Sequence, residues 1–161
     1  MTSLEFCRKQ RKQELPKFVN VLKALPQDRL DYRPDPKART AAELAWVLAA
    51  EEAALVSLLD AGVVEWKEVP PPSLVADIVA AFEKKAAAVN ERLDRIDEAG
   101  WQKKGRFLMG EAPAWEDTIE NFVWGFLLDA IHHRGQLSTY LRPMGGKVPS
   151  IYGPSADDPG Q

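Results

Sequence analysis

The sequence predicts an all-α fold: a four-helix bundle with long connectors and a Gly/Pro-rich C-terminal tail. Three observations predict it. Four segments carry apolar residues at alternating steps of three and four, which marks one face of a helix. The stretches between them are punctuated by proline and glycine, and none reads convincingly as a strand. The chain has 161 residues and is 45% hydrophobic, which suits a single domain over 1–161 with one sizeable core.

The first helix spans about residues 3–25, on the row Leu4, Cys7, Arg11, Leu15, Phe18, Leu22 and Leu25. Arg11 interrupts the row and is expected to snorkel outward. Pro16 should kink or break the helix, because it lacks an N–H and its ring crowds the preceding turn. The connector "PQDRLDYRPDPKAR" follows, extended or looped around Pro26, Pro34 and Pro36. The second helix is the clearest. Thr40 and Glu43 form a T-x-x-E capping box at its start, and Gly62 can end it in a left-handed conformation. Leu44, Val47, Glu51, Leu55 and Leu58 mark one of its faces, with an acid inside the row.

"VVEWKEVPPP" reads as a short extended loop. Ser73 is expected to cap the third helix, whose stripe is Val75, Val79, Phe82, Ala86, Val89, Leu93 and Ile96. "EAGWQKKGRFLMGEAPAW" reads as a loop, with room for a short hairpin around Gly105. The fourth helix is expected from near Trp115 to just before Pro143. In the tail, Ile151 and Tyr152 are expected to pack down while the last residues stay mobile.

Composition excludes several functions. Twenty-four acidic residues stand against 21 basic ones, a net charge of −3. That is an ordinary surface without the clustered basic face of a nucleic-acid binder. The N-terminal basic residues are diluted by Glu5 and Glu14 and read as a solvated helix face. Cys7 is the single cysteine, so an intramolecular disulfide or a multi-cysteine metal motif is impossible. There is no signal-like apolar core and no run of membrane-spanning length, so a cytoplasmic location is expected.

The chemistry collects on the fourth helix. Ile119, Phe122, Phe126, Asp129, His133, Gln136 and Tyr140 lie on one face, apolar in the first half and polar in the second. Adjacent polar groups on a core-facing row predict a polar pocket near one end of the bundle, since buried polar groups need partners. Asp129 and His133 stand at i and i+4, a spacing that lets one helix offer two ligands to one ion. A carboxylate oxygen and a neutral imidazole suit zinc, nickel or iron(II). The same pair reads equally as an acid that caps the imidazole or bridges to Arg134. Glu51 is the acid that could complete a ligand set, or else pair with Arg134 or Arg11. His132, with Leu128, Gly135 and Thr139, faces elsewhere, as a partly buried histidine at a helix contact. Gly125 and Gly135 suit close helix packing or a dimer seam. Cys7 lies on an apolar row with nothing beside it to stabilise a thiolate.

"HHRGQLSTYLRPMGGKVPSIYGPSADD", residues 132–158, together with "LDYRPDPKARTAAELAWVLAAEE", residues 30–52, resembles the DinB-like (YfiT-like) metalloenzyme superfamily, over nearly the whole chain. The resemblance implies a four-helix bundle, often a homodimer. It also implies a divalent metal held by three histidines, one from the second helix and two spaced H-x-x-x-H on the fourth. Some such proteins resemble thiol transferases, others maleylpyruvate isomerases. Matched residue by residue, the last histidine falls on His133, the one before it on Asp129, and the second-helix histidine on Val47, which cannot bind metal.

Two readings of function follow. The first is a DinB-like bundle with a pocket of Val47, Glu51, Asp129, His133, Gln136 and Tyr140, its metal site degenerate or lost, that binds a small molecule or thiol. The alternative is a divalent-metal-dependent thiol transferase or hydrolase-like enzyme, with zinc, nickel or iron on Asp129, His133 and Glu51. Either is compatible with a homodimer.

Overall fold

A computed structural model describes residues 1–112 and 114–160. The chain is mostly helical, with five α-helices and a small three-stranded sheet among the described residues. The order is α1 (Ser3–Lys23), a 3-10 turn (Gln27–Arg29), α2 (Ala41–Ala61), β1 (Val63–Trp66), α3 (Val75–Arg95), α4 (Glu98–Trp101), β2 (Lys104–Met109), β3 (Trp115–Thr118) and α5 (Ile119–Tyr140). Four long helices make the body: α2 packs on α3 and α5, and α1 packs on the same two.

The helix ends are set locally. Thr2 and Glu5 form a capping box on α1, and Thr40 and Glu43 form the expected one on α2. Gly62 closes α2 at φ 70°, where a side chain would be strained. Pro16 does not break α1, which runs through it without interruption. Its missing N–H removes one backbone bond, and the buried stripe on either side holds the helix together. Ser73 does not cap α3. The N-cap is Leu74, and the Val75 N–H is met at 2.8 Å by Oε1 of Gln27, whose amide also donates to the Ser73 carbonyl at 2.9 Å.

The sheet corrects the expectation of an all-α chain. "VVEW" is a strand and not a loop. It pairs in parallel with β2, from Val63 opposite Arg106 to Trp66 opposite Met109. β2 turns back antiparallel onto β3, from Lys104 opposite Thr118 to Phe107 opposite Trp115. Gly105 is therefore inside β2 and not at the hairpin turn; the two strands are joined between Met109 and Trp115, where Pro113 falls outside the described residues. Trp115 begins β3, and α5 starts only at Ile119, capped by the Thr118 hydroxyl. Gly105 is needed where it stands: a Cβ there would come within 2.7 Å of Leu58 Cδ1 and 3.2 Å of Ile119 Cδ1.

Two apolar clusters fill the interior. One gathers Phe18, Leu22, Leu48, Phe82 and Leu137, the other Leu4, Cys7, Leu55, Leu58, Trp101 and Val123. Along α1, Arg11 and Glu14 fall between the two clusters; along α2, Glu51 and Glu52 do. Four of the five buried charges among the described residues thus lie between the two apolar clusters, and Arg134 joins them through Glu14. Arg11 is one of the four and does not snorkel: it is 5% exposed. Arg8 is likewise no solvated face, since its guanidinium donates to the carbonyls of Leu93 and Ile96.

The tail is tied down to Gly160. Asp157 accepts from Arg142 and the Val148 N–H, each at 3.0 Å, and Asp158 accepts from the Ser150 N–H at 2.8 Å. Ile151 packs against the core as expected. The Tyr152 ring stays exposed, and only its hydroxyl reaches inward. Among the described residues no helix is long and apolar enough to cross a membrane.

Candidate metal centre

Glu51 sits midway along α2, between Leu48 one turn before it and Leu55 one turn after it, both fully buried. The helix therefore carries the carboxylate inward, and it is 2% exposed. Asp129 and His133 are one turn apart on α5, which packs against α2. Their side chains are 57% and 14% exposed, so the group opens to solvent on the Asp129 side.

Three side chains converge. His133 Nε2 lies 3.5 Å from Asp129 Oδ2 and 3.8 Å from Glu51 Oε1. One ligand atom from each of the three lies within 4.8 Å of the others. Gln136 Oε1 stands 3.0 Å from His133 Nδ1. An amide oxygen only accepts, so Nδ1 carries the hydrogen, and it is Nε2 that faces the two carboxylates, where the neutral ring offers a lone pair.

Among the described residues, Glu51 has no lysine or arginine partner. Arg11 takes the neighbouring acid, with Nη2 2.6 Å from Glu52 Oε2 and Nε 3.0 Å from Asn90 Oδ1. Arg134 takes Glu14, with Nη1 2.6 Å from Oε2. Both arginines that the sequence offered to Glu51 are thus engaged elsewhere. Glu51 Oε2 is buried without a hydrogen-bond partner. Burial, with the facing Asp129 carboxylate and the charge of Glu52 behind it, pushes the Glu51 carboxyl up to about 10. Without a cation this acid holds a proton at neutral pH.

The remaining predicted residues separate. Tyr140 shares the sequence row, but its hydroxyl donates to the Arg39 carbonyl at 3.2 Å and its ring packs edge-on against Tyr32. Seven residues beyond His133 is nearly two full turns, so Tyr140 shares the face but stands about 10 Å further along the helix axis, beyond reach of the group. Val47 is half-buried and lines a groove of about 500 Å³ that Glu51, Asp129 and His133 do not line. His132 is exposed and not set in a helix contact. Cys7 is fully buried and its thiol is pushed up to about 11, chiefly by burial, so it is no nucleophile at neutral pH. Glu14, read from sequence as part of a solvated face, is instead buried with its partner in α5. Its spacing of three from Arg11 and four from Phe18 was the available clue.

The three donors fit a divalent cation. Two carboxylates and an imidazole are acceptable ligands to zinc, nickel and iron(II). Ligands held ~2.0–2.2 Å from a tetrahedral zinc stand roughly 3.3–3.6 Å apart, close to the spacing found at Nε2. A cation would also meet Glu51 Oε2, which no donor among the described residues meets; without one, the protonated Glu51 carboxyl has only the Asp129 carboxylate to share its proton with. The structure therefore holds a Glu–Asp–His group that could bind a metal ion.

Known proteins place this fold. No curated protein matches the chain. Among solved structures, a DinB-like protein from Bacillus cereus ATCC 10987 superposes with a TM-score of 0.75 at 22% identity, covering 92% of this chain and 97% of that one. A DinB-like protein from Bacillus subtilis superposes with a TM-score of 0.66 at 14% identity, over 88% of this chain and 92% of its own. A conserved protein from Enterococcus faecalis gives a TM-score of 0.66 at 16% identity, over 89% and 97%. The DinB family model matches residues 8–160, and the chain belongs to the DinB family.

Proposed function

We propose that the protein binds a divalent metal ion through Glu51, Asp129 and His133, with coordination positions left open to a small molecule. The orphaned Glu51 Oε2 carries this reading, because it lies beside a lone-pair nitrogen and a second carboxylate. A bound ion would supply Lewis acidity, lowering the pKa of a coordinated water or thiol. This chain's residues then have defined roles. Gln136 fixes the His133 ring and its tautomer. Glu51 exchanges its proton for the ion. Asp129, at the exposed side, leaves the site accessible. The reaction class is thiol transfer or hydrolysis.

The metal-free pocket, which the Val47 position favours in sequence, leaves the orphaned oxygen without a function. Elemental analysis of natively purified protein tests the choice. About one zinc, nickel or iron per chain is expected, with loss of the metal in both His133→Ala and Glu51→Gln. Folded, metal-free protein from metal-supplemented growth would sink the reading.

A cytoplasmic homodimer belongs to the same proposal. Leu128 is 61% exposed on α5, and on the same helix a Cβ added at Gly125 or Gly135 would meet nothing within 4 Å. Those glycines therefore do not serve packing within the chain. Light scattering should give a dimer, and Leu128→Glu a monomer.

A further inference from the structure

The groove of about 500 Å³ beside Val47 has a chemistry of its own. Two indoles, Trp46 and Trp66, line it together with Lys37, Arg39 and Lys67. Its volume lies within the range of small-molecule sites, ~300–1,000 Å³. Trp46 comes from α2 and Trp66 from the end of β1, so the parallel strand is what gives the groove its second wall.

The charges lean one way. Three cations face two acids, Glu43 and Glu68. Glu43 is already committed to the Thr40 N–H as a helix cap, at 2.7 Å. Among the described residues Lys37 has no ion-pair partner, and Arg39 holds only the 80%-exposed Glu68, at 3.4 Å. An exposed pair of this kind is worth little and gives way to a better anion.

The groove borders the candidate metal centre along α2. Val47 and Glu51 are one turn apart on α2, and Arg39 lies within electrostatic reach of the Glu51 carboxyl. The Arg39 backbone is held by the Tyr140 hydroxyl from α5. We infer that this groove binds a small carboxylate with a flat apolar body: the body between Trp46 and Trp66, the carboxylate on Arg39 and Lys37, and the free end directed past Val47 toward Glu51, Asp129 and His133. This assigns a substrate class to the proposed metal centre and rests on that reading only for the last step.

Calorimetric titration with 1-naphthoate tests it, with 1-naphthylmethylammonium as the cationic control. Saturable one-to-one binding of the carboxylate and none of the cation are expected. Arg39→Gln, which keeps the backbone bond to Tyr140, should weaken binding at least ~10-fold, since a hydrogen bond to a charged group is worth about 1.5–3 kcal/mol. Trp66→Leu should weaken it in the same direction, with thermal melts confirming that both variants fold. Absence of saturable binding, equal binding of the cation, or an unchanged affinity in folded Arg39→Gln would each overturn the inference. The titration is repeated on chelator-treated protein. Binding that survives there and depends on Arg39 upholds the groove even if the native protein proves metal-free. Binding that needs metal and ignores Arg39 places the carboxylate on the ion and overturns the groove.

Discussion

Glu51 and Glu52 are consecutive residues of α2, both buried, and only Glu52 has a cation. Arg11 lies 2.6 Å from Glu52, whereas Glu51 faces His133 and Asp129 and keeps one oxygen unpartnered. A buried acid of this kind must be either neutral or ligated.

That choice has a measurable proton count. The Glu51 carboxyl is raised to about 10, chiefly by burial, so the metal-free protein holds its proton at pH 7 and a metal must displace it. Zinc titrations in buffers of different ionisation enthalpy should show about one proton released per ion. Affinity should rise roughly tenfold per pH unit on the acid side of that value. In Glu51→Gln the release should vanish with the binding.

A third buried acid, Glu14, behaves in the opposite sense to Glu51. Burial pushes its carboxyl up, but hydrogen bonds from Lys17, Arg134 and Tyr152 together hold it below the ordinary value. A depressed carboxyl stabilises the fold above the unfolded pKa, and the stabilisation is lost as pH falls through the folded one. Acid unfolding should therefore be shallower in Glu14→Gln. Arg134→Met leaves Glu14 with Lys17 and Tyr152 alone and should cost about 1.5–3 kcal/mol by urea denaturation. Tyr152→Phe removes one hydroxyl from the same cluster and should cost about 1 kcal/mol.

Helix α3 is capped from a distance. Gln27→Ala removes both its bond to the Val75 N–H and its bond to the Ser73 carbonyl, and should cost about 1 kcal/mol. Ser73→Ala, the substitution that the sequence singles out, should change the denaturation midpoint hardly at all.

Cys7 should resist thiol reagents. Its side chain is fully buried and its pKa is about 11. Modification by a disulfide reagent at pH 8 should proceed only at the rate of unfolding, and at once in urea.

What could be read in the sequence was what is local. The capping box at Thr40 and the stop at Gly62 fix α2 to the residue, because each signal acts within a single turn. The i, i+4 relation of Asp129 and His133 is fixed by helix geometry. The strands were not legible: "WEDT" carries two acids and "VVEW" has only four residues, and each is a strand only through its partner. Charge pairing failed for the same reason. Arg134 meets Glu14 across most of the chain, and nothing in either segment names the other. Tyr140 failed because a shared helix face does not mean a shared site: it lies two turns past His133, about 10 Å along the axis.

The parallel pairing of β1 with β2 also ties together two distant parts of the chain. Val63 reaches Arg106 only across the whole of α3 and α4. Closing that loop costs chain entropy, which a ladder of four residue pairs must repay. The wall that carries Trp66 therefore hangs on a short ladder, and a ligand held between Trp46 and Trp66 would act as a clasp across it.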